Sequence, residues 1–257
     1  MQTFHLTYAS DGRQALLPEP ALQRQALQAL ARAVAEQVVL FCIVDDHVHV
    51  VLLCQDERVG TLSRALLLAL RPLTGPGLAP AFVRPVEGRG HLEWLVRYVL
   101  EQPSKHGLPG HPALWPGSCF PDLVGARRLP GLSLGLRLGQ VLPRFRLRTA
   151  YAHVGLAPAP LQPVDPDTLR GLGIRRIVDA ASAALAADPA LRGNSDRVVS
   201  TRVTIAHLAT AWPTSELAWA LDITPQAARR LRTREVPEGA MEAVRLRLAL
   251  EERARGG

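Results

Sequence analysis

Two short runs of this chain carry residue types able to do chemistry together. The first is His47-Val48-His49, set between Asp45-Asp46 and Val50-Val51-Leu52-Leu53. Side chains alternate along a strand, so both imidazoles fall on one face while Val48, Val50 and Leu52 fall on the other. Two imidazoles one side-chain repeat apart are able to share a divalent metal. The same pair can equally decorate a solvated strand face. The second run is the helical stretch His91 to Gln102, in which Leu92, Leu95, Val96 and Val99 form the stripe to be buried. Tyr98 and Gln102, four apart, share an adjoining face. A phenol and an amide oxygen then project from one helix edge, as an ordinary packing tyrosine and a helix-end glutamine also would.

The elements that must position these runs follow from hydrophobic periodicity and breakers. A strand is expected over 1–9 and an amphipathic helix over 16–35, with Leu22, Ala26, Leu30 and Val34 in register. Strands at 38–44 and 48–54 flank a turn at Asp45-Asp46, and a second apolar-faced helix covers 62–70. A short strand at 81–86 then leads into the helix from His91, which Pro103 stops. The order β-α-β-β-α-β predicts an α+β fold, a ferredoxin-like antiparallel sheet with its helices on one face. On that reading the valine face packs on the helices and the imidazole face stays open.

His47 and His49 on a middle strand, followed by Tyr98-x-x-x-Gln102 on a helix, resemble the HUH single-tyrosine endonucleases. The likeness is to transposases of insertion sequences that move as single-stranded DNA, and especially to the REP-associated tyrosine transposases. Phe4-His5-Leu6-Thr7 looks like the family's first strand, Leu95 to Pro103 with Gly107-Leu108 like its tyrosine-helix signature, and Trp115 with Ser118 like its Trp-Ser signature. The resemblance covers about residues 1–125. It implies that His47, His49 and Gln102 hold Mg²⁺ or Mn²⁺, and that Tyr98 is the nucleophile that forms a covalent 5′-phosphotyrosine. Two departures are visible. Asp45-Asp46 stands where the family usually has Pro-Asn, which either adds a metal ligand or builds the turn. Gln102 stands where REP-associated members more often carry Asn. Lys105 occupies the place of a basic loop residue suited to phosphate. His5 either approaches the site from the first strand or is structural, and His91, His106, His111, His153 and His207 show no spacing for a second metal site.

Charge narrows the partner. Thirty basic against 23 acidic residues give +7, and all the basic residues but Lys105 are Arg, whose fork suits phosphate. Residues 126–164 hold six Arg and no acid, a concentration that favours nucleic acid as partner. Read as extended, Arg144, Arg146 and Arg148 lie on one side, and with Arg127, Arg128 and Arg137 they would line a groove along a DNA backbone, with Phe145 or Tyr151 to stack on bases. The C-terminal part reads as helices over 167–187, 200–211, 214–221, 225–234 and 239–255. Within it, Thr214 or Ser215 would cap one short helix and Thr224 a second, joined by a turn at Leu221-Asp222-Ile223. The pair resembles a helix-turn-helix, presenting Gln226, Arg229, Arg230 and Arg232 to a groove. The domains expected are therefore 1–125, a Pro/Gly-rich basic linker at 126–165, and a helical DNA-binding part at 166–257.

Other classes recede on the same residues. The apolar run Val38–Val44 is too short to cross a membrane, and no secretion signal is visible, so a cytoplasmic, nucleoid-associated protein is expected. Three scattered cysteines, Cys42, Cys54 and Cys119, make no disulfide framework. The function expected is a metal-dependent endonuclease and strand transferase on single-stranded DNA with hairpins, working as monomer or homodimer. A DNA-binding regulator that keeps the same fold as a silent scaffold remains a second reading, and a His-x-His metal hydrolase a weaker third.

Overall fold

The computed structural model describes residues 1–256 apart from 11 and 13. The chain divides into two compact units, one of residues 1–123 with 129–160, the other of residues 124–128 with 161–256.

The first unit is built on strands β1 (Gln2–Ala9), β2 (Val38–Ile43), β3 (His47–Cys54) and β4 (Phe82–Pro85), with helices α1 (Pro20–Val34) after β1 and α2 (Asp56–Thr74) after β3. The sheet is antiparallel throughout, in the order β2-β3-β1-β4. Alternation along β1 sends Phe4, Leu6 and Tyr8 into the core, where the Tyr8 hydroxyl donates to the Ser63 carbonyl on α2. The opposite register partners of these residues are Leu52, Val50 and Val48, so the valine face packs on helices as the pattern requires. Helix α1 starts at Pro20, later than expected, because Leu16 and Leu17 donate their N–H groups to the Asp45 carbonyl. Helix α2 starts earlier than its apolar stripe: Asp56 and Glu57 in its first turn complement the helix dipole, and Gly75 at φ +66° ends it.

The face carrying His47 and His49 is not open. Helix α3 (Gly88–Leu100) lays Leu92, Leu95, Val96 and Val99 down as buried residues, and the chain at 115–118 closes the outer edge of β2. There the Trp115 indole donates to the Ile43 carbonyl at 2.8 Å and the Ile43 N–H to the Gly117 carbonyl at 2.9 Å. A one-sided sheet would have left that edge and face to solvent; instead the Trp-Ser segment pairs with the edge, and Tyr98 of α3 lies against His49 on the face.

The stretch expected as a linker carries structure of its own. Helices α6 (Leu134–Val141) and α7 (Leu147–His153) bury Leu134, Leu138, Ala150 and Tyr151 and cluster with the first unit, after the single turns α4 (Gln102–Lys105) and α5 (Phe120–Leu123). Tyr151 packs edge-on against Phe120 at 5.3 Å and is buried, so it offers no ring for base stacking. Arg144–Arg148 is not extended: it runs through a turn into the start of α7.

The second unit is helical: α8 (Pro166–Gly171), α9 (Ile174–Ala184), α10 (Asp196–Leu208), α11 (Thr214–Ala220), α12 (Pro225–Leu231) and α13 (Ala240–Gly256). The single helix expected over 167–187 is broken, because Leu172 and Gly173 adopt extended backbone between α8 and α9. Residues 124–128 join this unit through the Arg128 N–H, which donates to the Ala184 carbonyl at 2.8 Å.

One contact gives a direct test of the covering segment. A Cβ on Gly117 would sit 2.0 Å from the Ile43 carbonyl oxygen, so Gly117→Ala must push the segment off β2. The expected loss is about 1–3 kcal/mol of stability in urea unfolding; a variant as stable as the parent would contradict this packing.

Candidate active site

Strand β3 brings His47 and His49 to the covered face opposite Ala9 and Thr7 of β1. His49 is only 3% exposed. Its Nδ1 lies 3.1 Å from His5 Nε2 and 3.2 Å from the Thr7 hydroxyl. Its Nε2 is buried with no hydrogen-bond partner among the described residues. With the proton of the neutral ring on Nδ1, donated to His5 or Thr7, the buried Nε2 would carry an unused lone pair. Burial, followed by the neighbouring His47, His5 and His106, pushes the His49 pKa down to about 2. His5 falls to about 4, first by burial and then by His91 and Arg84. Both rings are neutral at neutral pH, the state in which imidazole ligates a metal.

His47 is arranged in the same way from another partner. Asp46 Oδ1 lies 2.6 Å from His47 Nδ1, so the ring donates its Nδ1 proton to the carboxylate and turns the lone pair of Nε2 inward. That lone pair faces Gln102 Oε1 at 3.3 Å. The amide cannot turn its N–H group there without losing its own bond, because Gln102 Nε2 donates to the Tyr98 carbonyl at 3.0 Å. An imidazole lone pair and a carbonyl oxygen thus face each other with no proton between them when His47 is neutral. The rings of His47 and His49 are 4.5 Å apart, centre to centre. A buried unpartnered His49 Nε2, a His47 Nε2 aimed at an oxygen, and a fixed amide oxygen make a donor set that fits a divalent cation.

Gln102 reaches this place by a small departure from the expected helix. Helix α3 ends at Leu100, and Gln102 opens the separate turn α4, where it is buried. Tyr98, on the last turn of α3, is half-buried, with its ring 5.1 Å from His49 and its hydroxyl in no hydrogen bond among the described residues. The Lys105 ammonium stands 4.9 Å from the centre of that ring while pairing with Glu101 at 3.2 Å. His47, His49, Tyr98, Gln102 and Lys105 are therefore brought together.

Two residues of the site, Asp46 and His106, were misread or missed from the sequence. Asp45 builds the turn, since its carbonyl takes the Leu16 and Leu17 N–H groups and its carboxylate the Asp46 N–H; Asp46 instead orients His47. His106 was expected to lie apart from any metal site, yet ligand atoms of Asp46, His47 and His106 all lie within 4.8 Å of one another. Because Asp46 already engages His47 Nδ1, the Nε2 edge, which faces Gln102 Oε1, is the better fit for a cation. The signal for His106 was its spacing, four residues beyond Gln102 and eight beyond Tyr98. His5, for which the sequence offered both a structural role and an approach to the site, touches His49 directly.

The basic residues separate into two groups. Arg127 is buried in the second unit and gives no surface to DNA. Arg137 is half-buried and donates to Gln140. Arg128, Arg144, Arg146 and Arg148 are exposed. In the second unit Thr224 caps α12 as expected, accepting from the Ala227 N–H, while α11 is preceded by Pro213 and has no side-chain cap. Asp222 takes φ +52° in the turn between the two helices. Gln226, Arg229 and Arg230 are exposed on α12. Arg232 is not presented: its guanidinium donates to the Ala209 and Trp212 carbonyls and the Thr214 hydroxyl.

No family model matches the chain, and no curated protein matches it. Among solved structures it is similar to a REP-associated tyrosine transposase bound to a REP hairpin, at 19% identity and a TM-score of 0.39, over 46% of this chain and 76% of that one. Among the described residues no helix is long and apolar enough to cross a membrane.

The Asp46 contact makes a measurable demand. A carboxylate that fixes a ligating imidazole typically contributes a factor of about 10–100 to metal affinity. Asp46→Ala is expected to weaken Mn²⁺ binding by that factor in isothermal titration calorimetry, and unchanged affinity would contradict the orienting role.

Proposed function

We propose that the first unit is a divalent-metal-dependent endonuclease and strand transferase of the HUH single-tyrosine type, acting on single-stranded DNA beside hairpins. The observation that carries this reading is the convergence of His47 Nε2, the unpartnered His49 Nε2 and Gln102 Oε1 next to the Tyr98 ring. The sheet order β2-β3-β1-β4 with α1 and α2 on one face supports a ferredoxin-like form of that fold. The motif resemblance of residues 1–125 points the same way.

In this reading His47, His49 and Gln102 hold Mg²⁺ or Mn²⁺, which when bound polarises the scissile phosphate and offsets charge developing on it. Tyr98 supplies the nucleophile. A bond forms between its phenolic oxygen and phosphorus, the bond from phosphorus to the 3′ oxygen breaks, the phenolic proton is lost and the departing oxygen gains one. The products are a 5′-phosphotyrosine and a free 3′-OH, and reversal rejoins the strand without an outside energy source. Lys105 adds a positive charge where the phosphate enters, and the hydrogen bond from Gln102 to the Tyr98 carbonyl ties the metal ligand to the nucleophile's own backbone. In the second unit, Gln226, Arg229 and Arg230 on α12 would read the duplex part of a hairpin.

The test is a covalent adduct. Wild type incubated with labelled hairpin DNA from the gene's own flanks is expected to form a denaturation-resistant protein–DNA adduct with Mg²⁺ or Mn²⁺, absent with EDTA and absent in Tyr98→Phe. Tight hairpin binding with no adduct would overturn the catalytic reading and leave the exposed α12 as the working part of a regulator.

A further inference from the structure

We propose that the indole of Trp94 is a platform on which an unpaired nucleobase beside the scissile phosphate stacks, an inference that rests on the reading of Tyr98 as nucleophile on single-stranded DNA. Trp94 lies one helical turn before Tyr98 on α3. The two rings are stacked, 4.8 Å apart and inclined by only 17°. Yet Trp94 is 53% exposed, among the largest apolar groups that the described residues leave to solvent. Stability gives no reason for a tryptophan there: the buried stripe of α3 is Leu92, Leu95, Val96, Val99 and Leu100.

The surroundings select the occupant. The positive groups about the pair are Lys105, held against the Tyr98 ring, and Arg97, exposed on α3 between Trp94 and Tyr98 in sequence; both are partly neutralised by Glu101. His91 adds a third ring, 6.2 Å from Trp94. A flat aromatic surface continuous with a nucleophile and edged by cations matches a polyanion that carries flat rings. Single-stranded nucleic acid is such a ligand, and a duplex, whose bases already stack on one another, is not. The indole fixes where the base lies, and the base in turn fixes which phosphate reaches the Tyr98 hydroxyl. Trp94 is thus a substrate-positioning residue for the cleavage step.

The experiment uses the full chain carrying Tyr98→Phe, which keeps the ring and forms no adduct, with the hairpin-flanking oligonucleotide, its single-stranded arm labelled with 2-aminopurine. Three proteins are compared at one fixed low salt: this parent, the parent with Trp94→Leu, and the parent with Trp94→Phe. Trp94→Leu is expected to weaken binding of the single-stranded arm about ten-fold, the scale of one lost stacked base, and to abolish quenching of one 2-aminopurine position. Trp94→Phe is expected to recover part of both, and the circular dichroism spectra of all three at the assay temperature should coincide, showing the same fold. Equal affinity and quenching in Trp94→Leu would overturn the platform while leaving the single-strand reading intact. A parent that binds the duplex but not the single-stranded arm would overturn both.

Discussion

When His47 is neutral, the Gln102 carbonyl oxygen faces the lone pair of its imidazole, an unfavourable contact that a bound cation would relieve. Gln102 cannot rotate away, because its N–H group is bonded to the Tyr98 carbonyl. His47 cannot turn its proton inward while Asp46 holds its other nitrogen at 2.6 Å. His49 adds a buried nitrogen with nothing to bond. Leaving buried polar atoms unsatisfied costs about 1–3 kcal/mol each, and a protein core normally avoids it. A cation placed among these atoms converts every one of the unfavourable terms into a ligand bond. The strand alternation, the covering helix and the turn at 102–105 all serve to bring those three atoms together.

The same arrangement would tie the proposed metal to the proposed nucleophile by a short path. Gln102 touches the proposed metal position with its oxygen and the Tyr98 backbone with its nitrogen, so the tyrosine and the ligand set share one rigid corner where α3 gives way to α4. Reaction geometry tolerates little misplacement, since a shift of about 1 Å can cost a factor of about 100 in rate. A hydrogen bond from the proposed ligand to the main chain of the proposed nucleophile would hold that geometry. The exposed side of Tyr98, with Trp94 and Lys105 about it, is where DNA would enter.

What the sequence made legible were the features set by local periodicity. Period two on β3 placed His47 and His49 together and sent Val48, Val50 and Leu52 the other way; period 3.6 on α3 gave the buried leucines and valines, while Gln102 meets Tyr98 from the separate turn after it. The element order and the Thr224 cap were readable for the same reason. Features decided by tertiary contact were not. Nothing local says that α3 covers the histidine face and the 115–118 segment the edge of β2, or that Asp46 rather than Asp45 reaches the imidazole. The Arg-rich stretch shows the limit most clearly: charge alone suggested a groove, but Arg127 is buried, Arg232 secures three groups of its own unit, and Arg144–Arg148 turns into a helix.

The atoms around the metal position can be read directly by pulsed electron paramagnetic resonance of the Mn²⁺-loaded protein. Nitrogen modulation from two imidazoles is expected, reduced to one in His49→Leu. Bound Mn²⁺ that shows water protons and no imidazole nitrogen would contradict a metal held by His47 and His49, and the proposed chemistry with it.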